Sequence, residues 1–160
     1  MRYIERTIAD KISKTSKEYP VILLTGPRQS GKTTLLKELS EKEGKNREYI
    51  SLDDFNLRSM AKSDPAMFLR IHKPPVLIDE AQYAPELFTY IKIYVDEHNN
   101  AGDFWLTGSQ VFPLMRGVSE SLAGEESGIP VDVEKGVETF CVGSQVVVGQ
   151  HHTLGDARGT

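Results

Sequence analysis

The stretch VILLTGPRQSGKT, residues Val21–Thr33, decides the fold class of this chain. Its first four residues are apolar, which is typical of a strand buried on both faces of a parallel sheet. Its last eight residues fit the P-loop pattern G-x-x-x-x-G-K-[ST] at every defined position. Leu35, Leu36 and Leu39 follow at helical spacing. The motif therefore lies between a predicted strand and a predicted helix, and this context predicts a phosphate-binding loop.

The chemistry of phosphate binding explains the residue types in this loop. Gly26 and Gly31 permit a tight turn in which backbone N–H groups approach an anion with no Cβ in the way, at the positive end of the following helix. We expect Lys32 to neutralise the β- and γ-phosphates and to assist catalysis, and the Thr33 hydroxyl to ligate magnesium. The predicted binding site for ATP and Mg²⁺ comprises Gly26, Pro27, Arg28, Gln29, Ser30, Gly31, Lys32, Thr33 and Thr34.

Strand and helix patterns alternate on both sides of the P-loop. An amphipathic helix is predicted at residues 3–18, because Ile4, Ile8 and Ile12 recur every four positions. Further strands are predicted at 21–25, 48–52, 76–79 and 104–107, and helices at 33–42, near 65–71 and at 85–97. This alternation predicts an α/β fold with a parallel sheet between two helical layers. Ligands of such sheets bind at the carboxyl ends of the strands, where the candidate functional residues fall.

Two adjacent carboxylates, Asp79 and Glu80, end the apolar strand that begins at Val76. We expect Asp79 to hold magnesium, mostly through water, opposite Thr33. Glu80 is expected to orient and deprotonate the attacking water as a general base. A nearby metal ion and triphosphate would offset the mutual repulsion of the two charges. The alternative is a strand end that simply reaches solvent.

Polar residues also end the fourth strand, at Thr107, Ser109 and Gln110. In P-loop ATPases with an additional strand, a polar residue here contacts the γ-phosphate and helps to position the water. We assign this sensor role to Thr107 and Ser109 together. The alternative is that they are ordinary turn residues, because hydroxyl side chains are common in turns.

The chain resembles a group of prokaryotic AAA-type ATPases through five stretches: LLTGPRQSGKTTLL, YISLDD, VLIDEAQ, LTGSQ and SESLAG. The resemblance covers residues 1–124 and implies an ASCE-type P-loop NTPase fold, ATP hydrolysis and a cytoplasmic prokaryotic protein. It implies no client. Asp53 and Asp54 match the SLDD stretch, and either they contribute to the site or they form an acidic helix start. Arg116 is the candidate arginine finger within the chain.

The resemblance stops after Gly124, where an arginine and a hydrophobic strand would be expected. Glu125, Glu126, Ser127 and Gly128 follow instead. We therefore expect residues 1–124 to form the AAA-type domain and residues 125–160 to form a divergent tail in place of the usual C-terminal domain of unknown function. The run Val146–Val148 is a candidate for a substitute edge strand, and other parts of the tail are expected to be disordered.

Composition narrows the class of protein further. The 160 residues are 39% hydrophobic and 26% charged, with a net charge of −4, which indicates a globular domain without an overall polyanion-binding surface. The single cysteine, Cys141, excludes an internal disulfide framework. No apolar run approaches the length of a membrane span, and a cytoplasmic setting is expected.

Three functions compete at this stage. The first is an ATPase whose hydrolysis changes the conformation of a protein client or of a homo-oligomer. The second is a small P-loop kinase for a metabolite, although a catalytic glutamate favours water as the acceptor. The third is a non-catalytic switch, associated with DNA or protein, in which ATP fixes a binding state.

Overall fold

The computed structural model describes residues 2–26, 28–109, 129–134, 137–142 and 145–150. Its α-helices in these ranges are α1 Arg2–Thr15, α2 Lys32–Glu43, α3 Phe55–Ser63, α4 Pro65–Ile71 and α5 Glu86–His98, with a one-turn 3₁₀ helix at Ala81–Tyr83. Its strands are β1 Val21–Thr25, β2 Glu48–Ser51, β3 Val76–Asp79, β4 Phe104–Gly108, β5 Ile129–Glu134, β6 Val137–Val142 and β7 Gln145–Gln150. No helix in these ranges is long and apolar enough to cross a membrane.

Four parallel strands in the order β2-β3-β4-β1 form the part of the sheet that carries the predicted motifs. Phe104 pairs with Val21 on one side and with Val76 on the other, so β1, β4 and β3 are in register. Their carboxyl ends consequently lie side by side, at Thr25, Gly108 and Asp79. The predicted α/β fold with a parallel sheet is confirmed.

The strands of residues 129–150 continue this sheet beyond β1. β7 pairs with β1 in parallel, and β6 and β5 follow in antiparallel order. Val146–Val148 therefore lie in a strand that is paired on both sides, whereas the prediction placed them at an edge. The edge strand of this part of the sheet is β5.

Alternate residues of β1 face the two helical layers. Val21 and Leu23 pack with residues from α3, α4 and α5, and Ile22 and Leu24 pack with residues from α1 and α2. All four side chains are almost completely buried. Burial on both faces explains the continuous apolar run, and burial of each side chain contributes about 1.5–3 kcal/mol to folding.

Helix α3 is the described α-helix that the sequence patterns missed. Only Ala61 of its nine residues is fully buried, and Leu57 and Met60 pack against the core as partly buried side chains. The side chain of Asp54 caps it by accepting hydrogen bonds from the backbone N–H groups of Asn56 and Leu57. A capping carboxylate satisfies N–H groups that have no partner in the first helical turn. Of the two explanations for Asp54, the structure thus favours the helix start.

Candidate functional site

The loop between β1 and α2 has the backbone that its glycine pattern predicts. Gly31 adopts the left-handed conformation (φ 80°) immediately before the first residue of α2. A Cβ at Gly31 would meet no atom within 4 Å, so the backbone angle rather than crowding requires glycine here. Gln29 also has a positive φ, of 59°. Pro27 lies outside the described residues.

The start of α2 has the chemistry of an anion site. Among the described residues no side chain caps this helix, and its first turn contains no acidic residue. The helix dipole and the N–H groups of that turn therefore face no competing protein carboxylate on this helix. Lys32 Nζ donates to Gly26 O at 2.8 Å and to Ser30 Oγ at 3.3 Å. Burial lowers the pKa of Lys32, and the negative charges of Glu80 and Asp79 partly oppose that change.

The hydroxyl of Thr33 reaches the acidic end of β3. It donates a hydrogen bond of 2.8 Å to Oδ1 of Asp79, a residue that is 8% exposed. Magnesium in nucleotide sites commonly takes one or two carboxylates together with phosphate oxygens and water. The Thr33 hydroxyl and the Asp79 carboxylate both offer oxygen atoms as ligands, and magnesium prefers oxygen ligands, so the two residues fit this ion. Within the described residues no cluster of three or more His, Cys, Asp and Glu offers an all-protein metal site.

Thr107 connects the two acidic residues from the neighbouring strand β4. Its hydroxyl donates to Asp79 Oδ1 and accepts the backbone N–H of Glu80 at 3.2 Å. The side chain is completely buried, so both contacts are shielded from water. Thr107 therefore fixes the position of the acidic pair.

Glu80 lies just beyond β3, in the left-handed conformation (φ 57°), and begins the 3₁₀ turn. Its Oε2 atom accepts hydrogen bonds from Ser109 Oγ, at 3.0 Å, and from Gln82 Nε2. Gln82 also donates to Ser109 Oγ at 3.0 Å. The end of β4 and the turn after β3 thus hold one carboxylate between them. Sequence reasoning missed Gln82, although its place two residues after Glu80, at the end of the VLIDEAQ stretch, was a usable signal.

Tyr49 is a second residue that sequence reasoning missed. Its hydroxyl donates to Asp79 Oδ2 at 3.0 Å. Burial, and then the negative charge of Asp79, raise the pKa of the phenol, so it remains a donor at neutral pH. Tyr49 pairs with Leu77 in the parallel register of β2 and β3. Leu77 and Asp79 share a face because strand residues alternate, so this register brings Tyr49 to the side of the sheet that carries Asp79.

Other predicted residues lie apart from this constellation. Arg28 is exposed and donates a hydrogen bond of 2.6 Å to Tyr83 Oη. Thr34 lies exposed on α2, and Asp53 is exposed in the turn before α3. Gln110 and Arg116 lie outside the described residues.

A family model described as an AAA domain (AAA_14) matches residues 18–132 of the chain. The chain belongs to this AAA domain family. AAA domains in general bind ATP with magnesium, and the suspected relationship to AAA-type ATPases is confirmed. The match extends past Gly124, where the sequence analysis placed the departure, and the boundary at that residue stays a prediction.

Three curated proteins illustrate the similarity. Uncharacterized proteins of Mycobacterium tuberculosis (Rv2008c) and Mycobacterium bovis (Mb2031c) are each 36% identical over 132 residues, which is 79% of this chain and 29% of theirs. The L-cystine import ATP-binding protein TcyC of Bacillus subtilis is 33% identical over 79 residues, which is 49% of this chain and 32% of that protein. The chain thus spans less than a third of the length of these relatives.

Proposed function

We propose that this chain binds ATP with magnesium at Gly26–Thr34 and hydrolyses it. One observation carries the proposal: the Thr33 hydroxyl lies 2.8 Å from Asp79 Oδ1, so the helix that follows β1 meets the acidic pair at the end of β3, with β4 as the strand between them. Membership of the AAA domain family supports ATP as the ligand, as does the similarity to a protein named as ATP-binding.

The proposed binding roles follow from charge and donor type. The loop amides and the start of α2 surround the phosphates, and Lys32 adds a positive charge that is already partly desolvated. Thr33 and Asp79 would hold magnesium, whose charge offsets that of the phosphates when it is bound. Arg28, engaged with Tyr83, has a smaller part in this proposal than the other loop residues.

Glu80 is the proposed general base. It accepts a proton from the attacking water as the water oxygen bonds to the γ-phosphorus and the bond to the ADP oxygen breaks, which gives ADP and phosphate. Ser109 and Gln82 orient its carboxylate. Thr107 sets the backbone of Glu80 and, with Ser109, takes the sensor role at the end of β4.

The test of this proposal is the Glu80→Gln variant, which keeps the shape of the side chain but removes the base. We expect ATP affinity to stay near that of the unaltered chain, and hydrolysis to fall about 10²- to 10⁴-fold. Glu97→Gln is the matched control, because Glu97 is exposed on α5, away from the site. A Glu80→Gln variant that hydrolyses ATP as fast as the control would overturn the role of Glu80 as the base, and ATP binding without hydrolysis in the unaltered chain would leave a binding switch as the better explanation.

We further propose that hydrolysis changes the conformation of a protein client or of an assembly of this chain. Phosphate release and molecular mass are to be measured together, with and without ATP. A molecular mass that rises with ATP supports self-assembly, and an unchanged mass favours a protein client.

A screen for phosphorylated metabolites addresses the kinase alternative, which predicts phosphate on the metabolite instead of free phosphate. The cytoplasmic setting expected from the sequence stays a prediction.

A further inference from the structure

Asp79 is held at both of its carboxylate oxygens. Thr33 and Thr107 donate to Oδ1, and Tyr49 donates to Oδ2 at 3.0 Å. A carboxylate has about four acceptor sites, so three protein hydroxyls take up most of its capacity. Bonds at a single oxygen would allow the group to rotate about them, whereas a bond at each oxygen fixes its plane. The Tyr49 bond is therefore the one that completes the restraint.

The tyrosine ring is itself fixed from the side of the P-loop helix. Lys37 Nζ lies 3.4 Å from the centroid of the Tyr49 ring. A cation on the face of an aromatic ring is attracted by the ring quadrupole, by about 0.5–1 kcal/mol at exposed sites. Lys37 lies one helical turn beyond Thr33, so both residues project from the same face of α2. Helix α2 thus contacts Asp79 directly through Thr33 and indirectly through Lys37 and Tyr49.

We propose that Tyr49 is a positioning residue that sets the affinity of this site for the divalent cation, by holding the Asp79 carboxylate in the orientation that receives the ion. This inference rests on the proposed function. Residues that hydrogen-bond a metal-ligating carboxylate orient it, and their loss typically costs about 10- to 100-fold in metal affinity or activity. The described hydrogen bond of Tyr49 goes to Asp79, and neither Lys32 nor Glu80 is its partner. We therefore expect the effect of Tyr49 to be specific to the metal.

The experiment compares nucleotide affinity with and without the cation. A fluorescent, non-hydrolysable ATP analogue is titrated onto the chain in EDTA and again at saturating Mg²⁺. The dissociation constant in EDTA divided by that in Mg²⁺ measures the coupling between metal and nucleotide. We expect Tyr49→Phe to keep the dissociation constant in EDTA and to lower this ratio about tenfold. Tyr90→Phe is the matched control, because Tyr90 on α5 is 38% exposed and Tyr49 is 40% exposed.

The possible outcomes separate this inference from the proposed function. A Tyr49→Phe ratio equal to that of Tyr90→Phe overturns the positioning role while leaving ATP binding intact. Weaker binding of Tyr49→Phe in EDTA also overturns it, because the tyrosine would then support the fold or the loop instead of the metal. An unaltered chain that binds no analogue under either condition overturns the proposed function, and this inference with it.

Discussion

Arg28 of the P-loop and Tyr83 of the turn after β3 are joined by a hydrogen bond of 2.6 Å, although 55 residues separate them in the sequence. A second arginine, Arg58 of α3, lies 5.0 Å from the Tyr83 ring centroid. The guanidinium of Arg28 is thus directed to a phenol that follows Glu80. This contact connects the loop to the turn that carries the proposed base.

This relationship predicts that Arg28 contributes little to nucleotide binding. Replacing Arg28 by Ala removes one exposed hydrogen bond, and we expect ATP affinity to fall by less than about fivefold. Lys32→Ala removes a partly buried charge, and a loss of about 10- to 100-fold is expected because hydrogen bonds to charged groups are stronger. Calorimetric titration of both variants with ATP measures the difference. Equal losses would show that Arg28 leaves Tyr83 and binds phosphate.

Much of the fold could be predicted because strands that are buried on both faces appear in the sequence as continuous apolar runs. The runs Val21–Leu24 and Val76–Ile78 are apolar because both faces of each strand are covered. The rule that parallel strands end at one edge was sufficient to place Thr33 near Asp79. Helix α3 could not be predicted in this way, because its apolar face consists only of Leu57, Met60 and Ala61 and its cap is a single aspartate.

The contacts of Tyr49 and Arg28 show why the rest of the site could not be predicted. Tyr49 reaches Asp79 only through the register of β2 against β3, and a single sequence does not specify that register. Arg28 has a partner in a turn whose path depends on the left-handed conformation of Glu80. Motif spacing identifies which residues are near the ligand, but the partners that orient them come from tertiary structure.

Gln82 is predicted to orient the proposed base. Replacing it by Ala removes one of the two side chains that donate to Glu80 Oε2, and a misplaced base acts poorly. We expect hydrolysis to fall about tenfold in Gln82→Ala, with ATP affinity unchanged, on the scale of one lost hydrogen bond to a charged group. Steady-state phosphate release, together with an ATP titration, measures both quantities. Faster hydrolysis would mean instead that Gln82 holds Glu80 away from the water.

Thr107 is predicted to stabilise the fold as well as the site. In Thr107→Val the hydroxyl is lost, so the buried Asp79 loses a donor and the partly buried N–H of Glu80 loses its acceptor. An unsatisfied buried polar group costs about 1–3 kcal/mol. Urea denaturation should show a loss of this size in the free energy of unfolding, whereas Thr107→Ser keeps the hydroxyl and should lose less. A Thr107→Ser loss as large as that of Thr107→Val would show that the methyl, which only Ser lacks, contributes as much as the hydrogen bonds of the hydroxyl.

Gly102 and Gly44 form a matched pair for separating crowding from backbone strain. Both have a positive φ, of 74° and 66°. A Cβ at Gly102 would lie 2.7 Å from Ser16 Oγ and 2.8 Å from Ser16 O, whereas a Cβ at Gly44 would meet no atom within 4 Å. Gly44→Ala should cost about 1–2 kcal/mol from the left-handed conformation alone. Gly102→Ala should cost more in the same denaturation experiment, and equal losses would show that Ser16 moves aside freely.

Asp103 gives a prediction about pH. Burial raises the pKa of this carboxyl, and Asn100, Arg47 and Lys45 offset only part of the increase. Because the folded pKa lies above the unfolded value of 3.8, the native state binds the proton more tightly, and its ionised form destabilises the fold above that folded pKa. Asp103→Asn removes the charge, so its Tm should exceed that of the unaltered chain at pH 7, and the difference should shrink towards zero as the pH falls to about 4.

Asp96→Asn on the exposed face of α5 is the control for this pH series. It should lose only the surface ion pair with Lys92, which contributes about 0.3–0.5 kcal/mol. A lower Tm for Asp103→Asn at pH 7 would contradict the prediction and show that the attraction to Arg47 and Lys45 outweighs the cost of burial.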